Sequence, residues 1–135
     1  MPASTISRGQ RWTARFLTGF AVLFLVFDAA MKLLQLAPAI QGSTELGFAA
    51  GSVFGIGLVE LACIALYVIP RSSFIGAVLL TGYLGGAIAS HVRVGNPLFS
   101  HVLFPSYVAA MIWGGLYLRD ARLRALVFVP ARAHA

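Results

Sequence analysis

The feature that most constrains this chain is a series of four apolar runs, each long enough to cross a bilayer as a helix. Crossing the hydrocarbon core takes about 20 residues at a rise of about 1.5 Å each. Lipid offers the backbone no hydrogen-bond partner, so a spanning segment must satisfy its own amides. The runs predict transmembrane helices at about residues 16–36, 47–69, 74–90 and 102–118.

The links between the predicted helices are short, at residues 37–46, 70–73 and 91–101. Short links make sequential helices antiparallel neighbours. Only 10% of the residues are charged and 59% are hydrophobic, whereas a soluble domain carries about 25% charged residues. We therefore predict an all-α fold, an integral membrane up-down four-helix bundle in contact with the lipid bilayer.

Basic residues give the predicted bundle a direction. Loops on the cytoplasmic side of a membrane are enriched in Lys and Arg. The net charge is +6, and most of the basic residues flank one side of the runs: Arg8, Arg11, Arg15, Arg71, Arg119, Arg122, Arg124 and Arg132. This distribution predicts a protein of the bacterial cytoplasmic (inner) membrane, with residues 1–14 and 128–135 both cytoplasmic. Without a basic stripe outside the runs, we expect no nucleic-acid partner.

The first run also resembles a signal peptide in one respect, because Ala37-Pro38-Ala39 follows it in the manner of a cleavage site. The apolar stretch is longer than a signal peptide requires, and Asp28 and Lys32 interrupt it. We therefore expect the run to remain as a transmembrane helix.

Six ionisable side chains lie inside the runs or at one rim of them, and all fall toward the predicted outer half. Such groups are costly in a membrane and usually face a bundle interior or a water-filled cavity. They are the candidate ligand-binding residues: Asp28, Lys32, Glu60, His91, Arg93 and His101. Asp28 and Lys32 are four residues apart and share a helix face, so they either neutralise each other as an ion pair or leave Lys32 to reach the surface.

Glu60 lies near the middle of the second run and has no basic residue within one turn. Its partner must come from another helix, with Lys32, His91 and Arg93 as the alternatives. Without a partner, burial would favour the protonated acid. Glu60 and Lys32 are thus the candidates for a proton-handling or catalytic role, and a purely structural hydrogen bond between helices is the alternative.

His91 and His101 bracket the third link. With Glu60 they could supply metal ligands, but no third ligand has a motif spacing, so we predict no metal site. The remaining alternatives are contacts with a ligand head group and solvated histidines at the membrane interface, where Arg93 would meet lipid phosphate. The single cysteine, Cys63, lies in an apolar run and is expected to be a packing group.

Small residues recur at four-residue spacing in the second and third runs, at Gly47, Gly51 and Gly55 and at Gly82, Gly86 and Ser90. Such spacing forms a groove that admits a neighbouring backbone. The sequence leaves open whether these grooves pack helices within the chain or form a homo-oligomer. Two tyrosines, Tyr83 and Tyr107, lie deep in the runs, so we expect their hydroxyls to face the polar interior.

Four segments, in order along about residues 14–127, resemble the DoxX family and its DoxX-like subgroup. They are DAAMKLL at 28–34, GLVEL at 57–61 with IPR at 69–71, GYLGGAIASHVR at 82–93 and WGGLYLRDARLR at 113–124. In the first segment, Asp28 replaces the small residue that the family has before its lysine. The resemblance implies a four-helix transmembrane domain, which we place at residues 15–127.

Members that this chain resembles are small membrane subunits of thiosulfate:quinone oxidoreductase and of other membrane-associated oxidoreductase complexes. The resemblance thus implies a membrane subunit or a small-ligand component that binds quinone and serves an oxidoreductase partner. The quinone would come from the partner or from the lipid phase, because no cofactor motif is present in the sequence. Two alternatives stay open: a small proton-coupled transporter, and a structural or assembly protein without a site.

Overall fold

The computed structural model describes residues 5–127, and the predicted tail at 128–135 lies outside them. Most of the described residues are helical, and four stretches are long and apolar enough to cross a membrane. The fold is therefore an all-α membrane bundle, as predicted. Its α-helices are α1 (Arg8–Leu33), α2 (Ala37–Glu45), α3 (Val53–Val68), α4 (Ser73–Arg93), α5 (Phe104–Arg119) and α6 (Ala121–Val127).

Helix α1 begins at a capping box. The Ser7 hydroxyl accepts from the Gln10 amide (3.2 Å), and the Gln10 side chain accepts in turn from the Ser7 amide (2.9 Å). Its buried face consists largely of alanine, with Ala21 and Ala29 almost fully buried. These small side chains let α3 and α5 pack closely against it.

The four long helices form a ring in chain order. Helix α1 packs against α3 and α5, and α4 also packs against α3 and α5. The diagonal pairs, α1 with α4 and α3 with α5, make no backbone-level contact within the described residues. Short links between antiparallel neighbours account for this up-down-up-down order. A side chain that joins α1 to α4 must therefore cross the centre of the bundle.

The bundle is solidly packed toward the end at which α1 begins. There the Tyr67 side chain is fully buried, and its hydroxyl donates to the Ile112 carbonyl (2.7 Å). Ile64, Leu80 and Leu116 surround it in one apolar cluster. By contrast, large apolar side chains on the outside are exposed, as a lipid-facing surface requires: they include Phe16, Leu23 and Phe27 on α1.

The links carry more structure than the sequence predicted. The first link contains α2, which begins at Ala37 with Pro38 in its first turn, where proline is well tolerated. The second span begins at Ala50 with a single 3₁₀ turn. Helix α4 continues to Arg93, three residues beyond the predicted end of its run. A π-helical turn at Leu98–Val102 leads into α5.

Of the two roles that the sequence left open for the recurring glycines, packing of helices within the chain is not seen among the described residues. A Cβ atom at Gly51, Gly55, Gly82 or Gly86 would meet nothing within 4 Å, so no described backbone lies against them. Gly47 lies in a turn with φ of +90°, which glycine adopts without strain. The close helix contacts occur instead at Gly57, Gly76 and Gly115, outside the pattern of four-residue repeats.

Candidate functional site

A cluster of four polar side chains lies at the centre of the bundle, and the Lys32 ammonium is bonded to each of the other three. Lys32 Nζ donates to Glu60 Oε2 (2.9 Å), to Tyr83 Oη (2.8 Å) and to Asp28 Oδ2. We call Asp28, Lys32, Glu60 and Tyr83 the Lys32 cluster. Of the three partners that the sequence left open for Glu60, the structure brings Lys32 to it.

The Lys32 cluster connects three helices. Asp28 and Lys32 are on α1, Glu60 on α3 and Tyr83 on α4. The contact between Lys32 and Tyr83 therefore spans the diagonal that no backbone contact bridges. Gly57, one turn before Glu60, makes this possible, since a Cβ atom there would lie 2.8 Å from the Lys32 Cβ. That glycine lets α1 approach α3 closely enough for Lys32 to reach Glu60.

Hydrogen-bond donors within the cluster are all engaged. An ammonium group has three N–H donors, and those of Lys32 meet three partners. The Tyr83 hydroxyl donates to Glu60 Oε2 (2.8 Å). Two acceptors remain unused among the described residues: Asp28 Oδ1 and Glu60 Oε1. With both carboxyl groups ionised, the cluster thus offers acceptors, and no donors, to any further group.

The Lys32 cluster also has more acidic than basic groups. Two carboxyl groups, Asp28 and Glu60, share one ammonium. With both acids ionised, the cluster carries one excess negative charge, which an apolar interior disfavours. One proton or one cationic group would offset this charge, and a neutral hydrogen-bond donor would stabilise it. Glu60 is fully buried, whereas the Asp28 side chain is 39% exposed, so Asp28 is the acid that a ligand reaches.

A cavity of about 980 Å³ opens above the Lys32 cluster, toward the end at which α1 finishes. We call it the polar cavity. Asp28, Lys32 and Tyr83 form its floor, and Glu60 lies directly beneath. Its walls are largely apolar, and its upper part is bounded by α2, which contributes Glu45, and by the third link. The apolar lining includes Phe24, Leu25, Met31, Ile56, Leu84, Phe104 and Val108.

Both predicted histidines line the polar cavity at its rim. Their rings lie edge to face, with centroids 5.8 Å apart. Each Nδ1 is held by a neighbour: Asn96 donates its amide to His91 (2.8 Å), and the Ser100 hydroxyl contacts His101 (2.8 Å). These contacts fix the rings and leave each Nε2 without a described partner. Asn96 was not predicted, because one asparagine in a polar link carries no distinguishing signal.

Arg93 and Tyr107, which the sequence predicted to contact the polar interior, lie away from the Lys32 cluster. Arg93 does not line the polar cavity, and its guanidinium donates to the Leu46 carbonyl, where it joins the end of α4 to the end of α2. The Tyr107 hydroxyl donates to the Phe99 carbonyl (3.2 Å) in the exposed third link. Tyr83, in contrast, faces the interior as expected. Across residues 5–127, no group of three or more His, Cys, Asp or Glu is arranged to hold a metal ion.

Comparison with known proteins supports the resemblance seen in the sequence. A model of the DoxX-like family matches residues 16–115, a segment that begins in α1 and ends in α5. The match includes every member of the Lys32 cluster and both histidines at the rim. No curated protein and no solved structure matches the chain significantly.

The Lys32 cluster predicts a strong coupling between Lys32 and Glu60. Replacing Lys32 by Met leaves the buried Glu60 beside Asp28 without a cation, and breaking a buried pair costs about 3 kcal/mol. Adding Glu60→Gln removes the unpaired acid, so the double variant should be more stable than Lys32→Met alone. Unfolding in detergent micelles would measure the free energy of unfolding of the wild type, of Lys32→Met, of Glu60→Gln and of the double variant.

Arg71→Met is the matched control, because Arg71 is exposed in the second link and its side chain has no bond to a described residue. We expect it to change the unfolding free energy by less than about 0.5 kcal/mol. Losses that simply add in the double variant would show that Lys32 and Glu60 act independently.

Proposed function

This chain belongs to the DoxX-like family, and we propose that its polar cavity binds an amphiphilic molecule whose head group donates a hydrogen bond. A reduced quinone, with its two hydroxyl groups, is the ligand that this chemistry fits best. In this role the protein is a membrane component that serves a quinone-linked oxidoreductase. The match to the family covers the whole cluster but carries no ligand with it.

The observation that carries the proposal is the unused hydrogen-bonding capacity at the floor of the cavity. Asp28 Oδ1 is an acceptor without a described partner, and all three donors of Lys32 are engaged. The carbonyl oxygens of an oxidised quinone are acceptors, and the ionised Lys32 cluster has no free donor for them. The hydroxyls of the reduced form are donors and match the carboxylate of Asp28.

The shape and lining of the cavity support an amphiphile over a small polar solute. Aromatic and aliphatic side chains, among them Phe24 and Phe104, form the walls, and their rings lie 5.2 Å apart. A volume of about 980 Å³ is in the upper part of the range of small-molecule sites. An apolar tail would bury itself along the walls while the head reaches the floor.

The cluster would also handle the protons of such a ligand. A quinol releases two protons and two electrons when it becomes a quinone. Asp28 would accept one proton from the hydroxyl bound to it, and the second hydroxyl, on the other side of the ring, would release its proton toward the open cavity. Glu60, joined to Asp28 through Lys32, would keep its negative charge beside the ammonium while Asp28 is neutral. The electrons pass to the oxidoreductase partner that the proposal names. Lys32 keeps the two acids close without lending a donor to the ligand.

A proton-coupled transporter is the second candidate, because the excess carboxyl group of the cluster can bind one proton. The packing of the other half of the bundle weighs against a passage. Buried Tyr67 and the apolar side chains around it fill the bundle between the polar cavity and the opposite end. A one-sided cavity favours binding over translocation.

We further propose that both termini are cytoplasmic and that the polar cavity opens toward the outer face of a bacterial cytoplasmic membrane. The basic residues support this orientation. In a Cys63→Ser background, the Asn96→Cys variant should react with a membrane-impermeant maleimide added to intact spheroplasts. The Ser72→Cys variant should react only after lysis. The reverse pattern would place the cavity on the cytoplasmic side.

The binding proposal predicts that the protein binds a quinol more tightly than the matching quinone. Short-chain ubiquinol should bind the protein in nanodiscs about tenfold or more tightly than the matching ubiquinone, since a hydrogen bond to a charged acceptor contributes about 1.5–3 kcal/mol. Asp28→Asn should weaken ubiquinol binding by about the same factor. Anaerobic titration calorimetry would measure both constants.

Asp120→Asn is the matched control, because Asp120 lies at the other end of the bundle and Asn keeps the Oδ1 that caps α6. We expect no change in ubiquinol binding for this variant. Equal affinities for both forms would contradict the proposal. So would variants of the cluster that change stability and leave binding intact, the result expected of a purely structural protein.

A further inference from the structure

A second cavity, of about 440 Å³, lies between the first turns of α1 and the end of α5, at the opposite end of the bundle. We propose that it binds the phosphate group of an anionic phospholipid. Three arginines line it, Arg11 and Arg15 from α1 and Arg119 from α5. We call it the arginine cavity, and it shares no lining residue with the polar cavity.

Helical spacing brings the basic groups of α1 to one face. Arg11 and Arg15 are four residues apart, and Thr18 follows three residues later, so all three lie on the side that meets α5. The small residues Ala14 and Gly19 leave room between these side chains. The result is a recess lined by cations, rather than arginines spread evenly over a surface.

The positive charge of this recess has no anion to balance it. Neither Arg11 nor Arg15 forms an ion pair with any residue from 5 to 127. Arg119 is held in place, with its guanidinium 4.7 Å above the Tyr67 ring and donating to the Tyr67 carbonyl (3.3 Å). The nearest acid in the sequence, Asp120, accepts from the amides of Arg122 (2.8 Å) and Leu123 (3.3 Å).

One further polar group at the cavity lacks a partner. Thr18 Oγ1 is buried and has no hydrogen-bond partner among the described residues, and it packs beside Gly115. A buried hydroxyl without a partner is costly. Rotation about its χ1 angle would let it donate to an oxygen in the cavity. Guanidinium groups with a hydroxyl form a donor set suited to phosphate.

The surroundings favour phosphate attached to a lipid over free phosphate. Phe16 and Phe20, which neighbour Arg15 and Gly19 along α1, are exposed and stack with ring centroids 6.2 Å apart. They offer an apolar surface to acyl chains next to the recess. Trp12 is also exposed, and the Arg15 guanidinium lies 5.7 Å from its ring, as expected at the level of lipid head groups.

Native mass spectrometry of the purified protein would test the proposal, with lipids of matched chain length added to the detergent. Phosphatidylglycerol should bind more tightly than phosphatidylcholine. The double variant Arg11→Gln/Arg15→Gln should weaken phosphatidylglycerol binding by about tenfold or more, since it loses two charge-assisted contacts. An excess of inorganic phosphate should not displace the lipid.

Arg8→Gln/Arg71→Gln is the matched control, because it removes the same charge at the same end of the bundle and neither residue lines the cavity. We expect it to change phosphatidylglycerol binding by less than about twofold. An equal loss in both double variants would overturn the site in favour of a diffuse surface charge. Equal binding of both lipids, or displacement by inorganic phosphate, would also overturn it. Thermal unfolding of each variant separates lost binding from lost fold.

Discussion

One ammonium group, that of Lys32, holds three helices of the bundle together at its centre. Its three hydrogen bonds reach α1, α3 and α4, and one of them crosses the diagonal of the ring. In the apolar interior each polar partner would be costly alone. The cluster therefore stabilises the hollow half of the bundle and at the same time places unused carboxylate oxygens at the floor of a cavity.

The two ends of the molecule differ in a way that follows from this arrangement. Toward the beginning of α1, apolar side chains around Tyr67 fill the bundle, and arginines surround its rim. Toward the end of α1, the polar cavity lies between the helices. In our account the hollow end binds an amphiphile and the basic end holds an anionic lipid, so the two sites can be tested separately.

Much of the fold could be predicted from the sequence, because lipid leaves a 20-residue apolar run little choice but a helix. Four long helices and the inward-facing Tyr83 are confirmed. Helix α2 was missed, since a short helix between two spans has no apolar run of its own. The glycines at the close helix contacts were not singled out either: contact depends on how α1 is rotated against α3, which places Gly57 beside Lys32 and leaves Gly55 open.

The choice of partner for Glu60 could not be predicted either, because three cationic side chains lay within plausible reach and only the packing selects Lys32. The central claim is that the Lys32 cluster forms the floor of a binding site for a hydrogen-bond-donating amphiphile. A high-resolution structure of the protein purified with its native lipids would test it most directly. We predict elongated density in the polar cavity, with its head within hydrogen-bond distance of the Asp28 carboxylate. A cavity closed by side chains, or one that holds only water, would contradict the account.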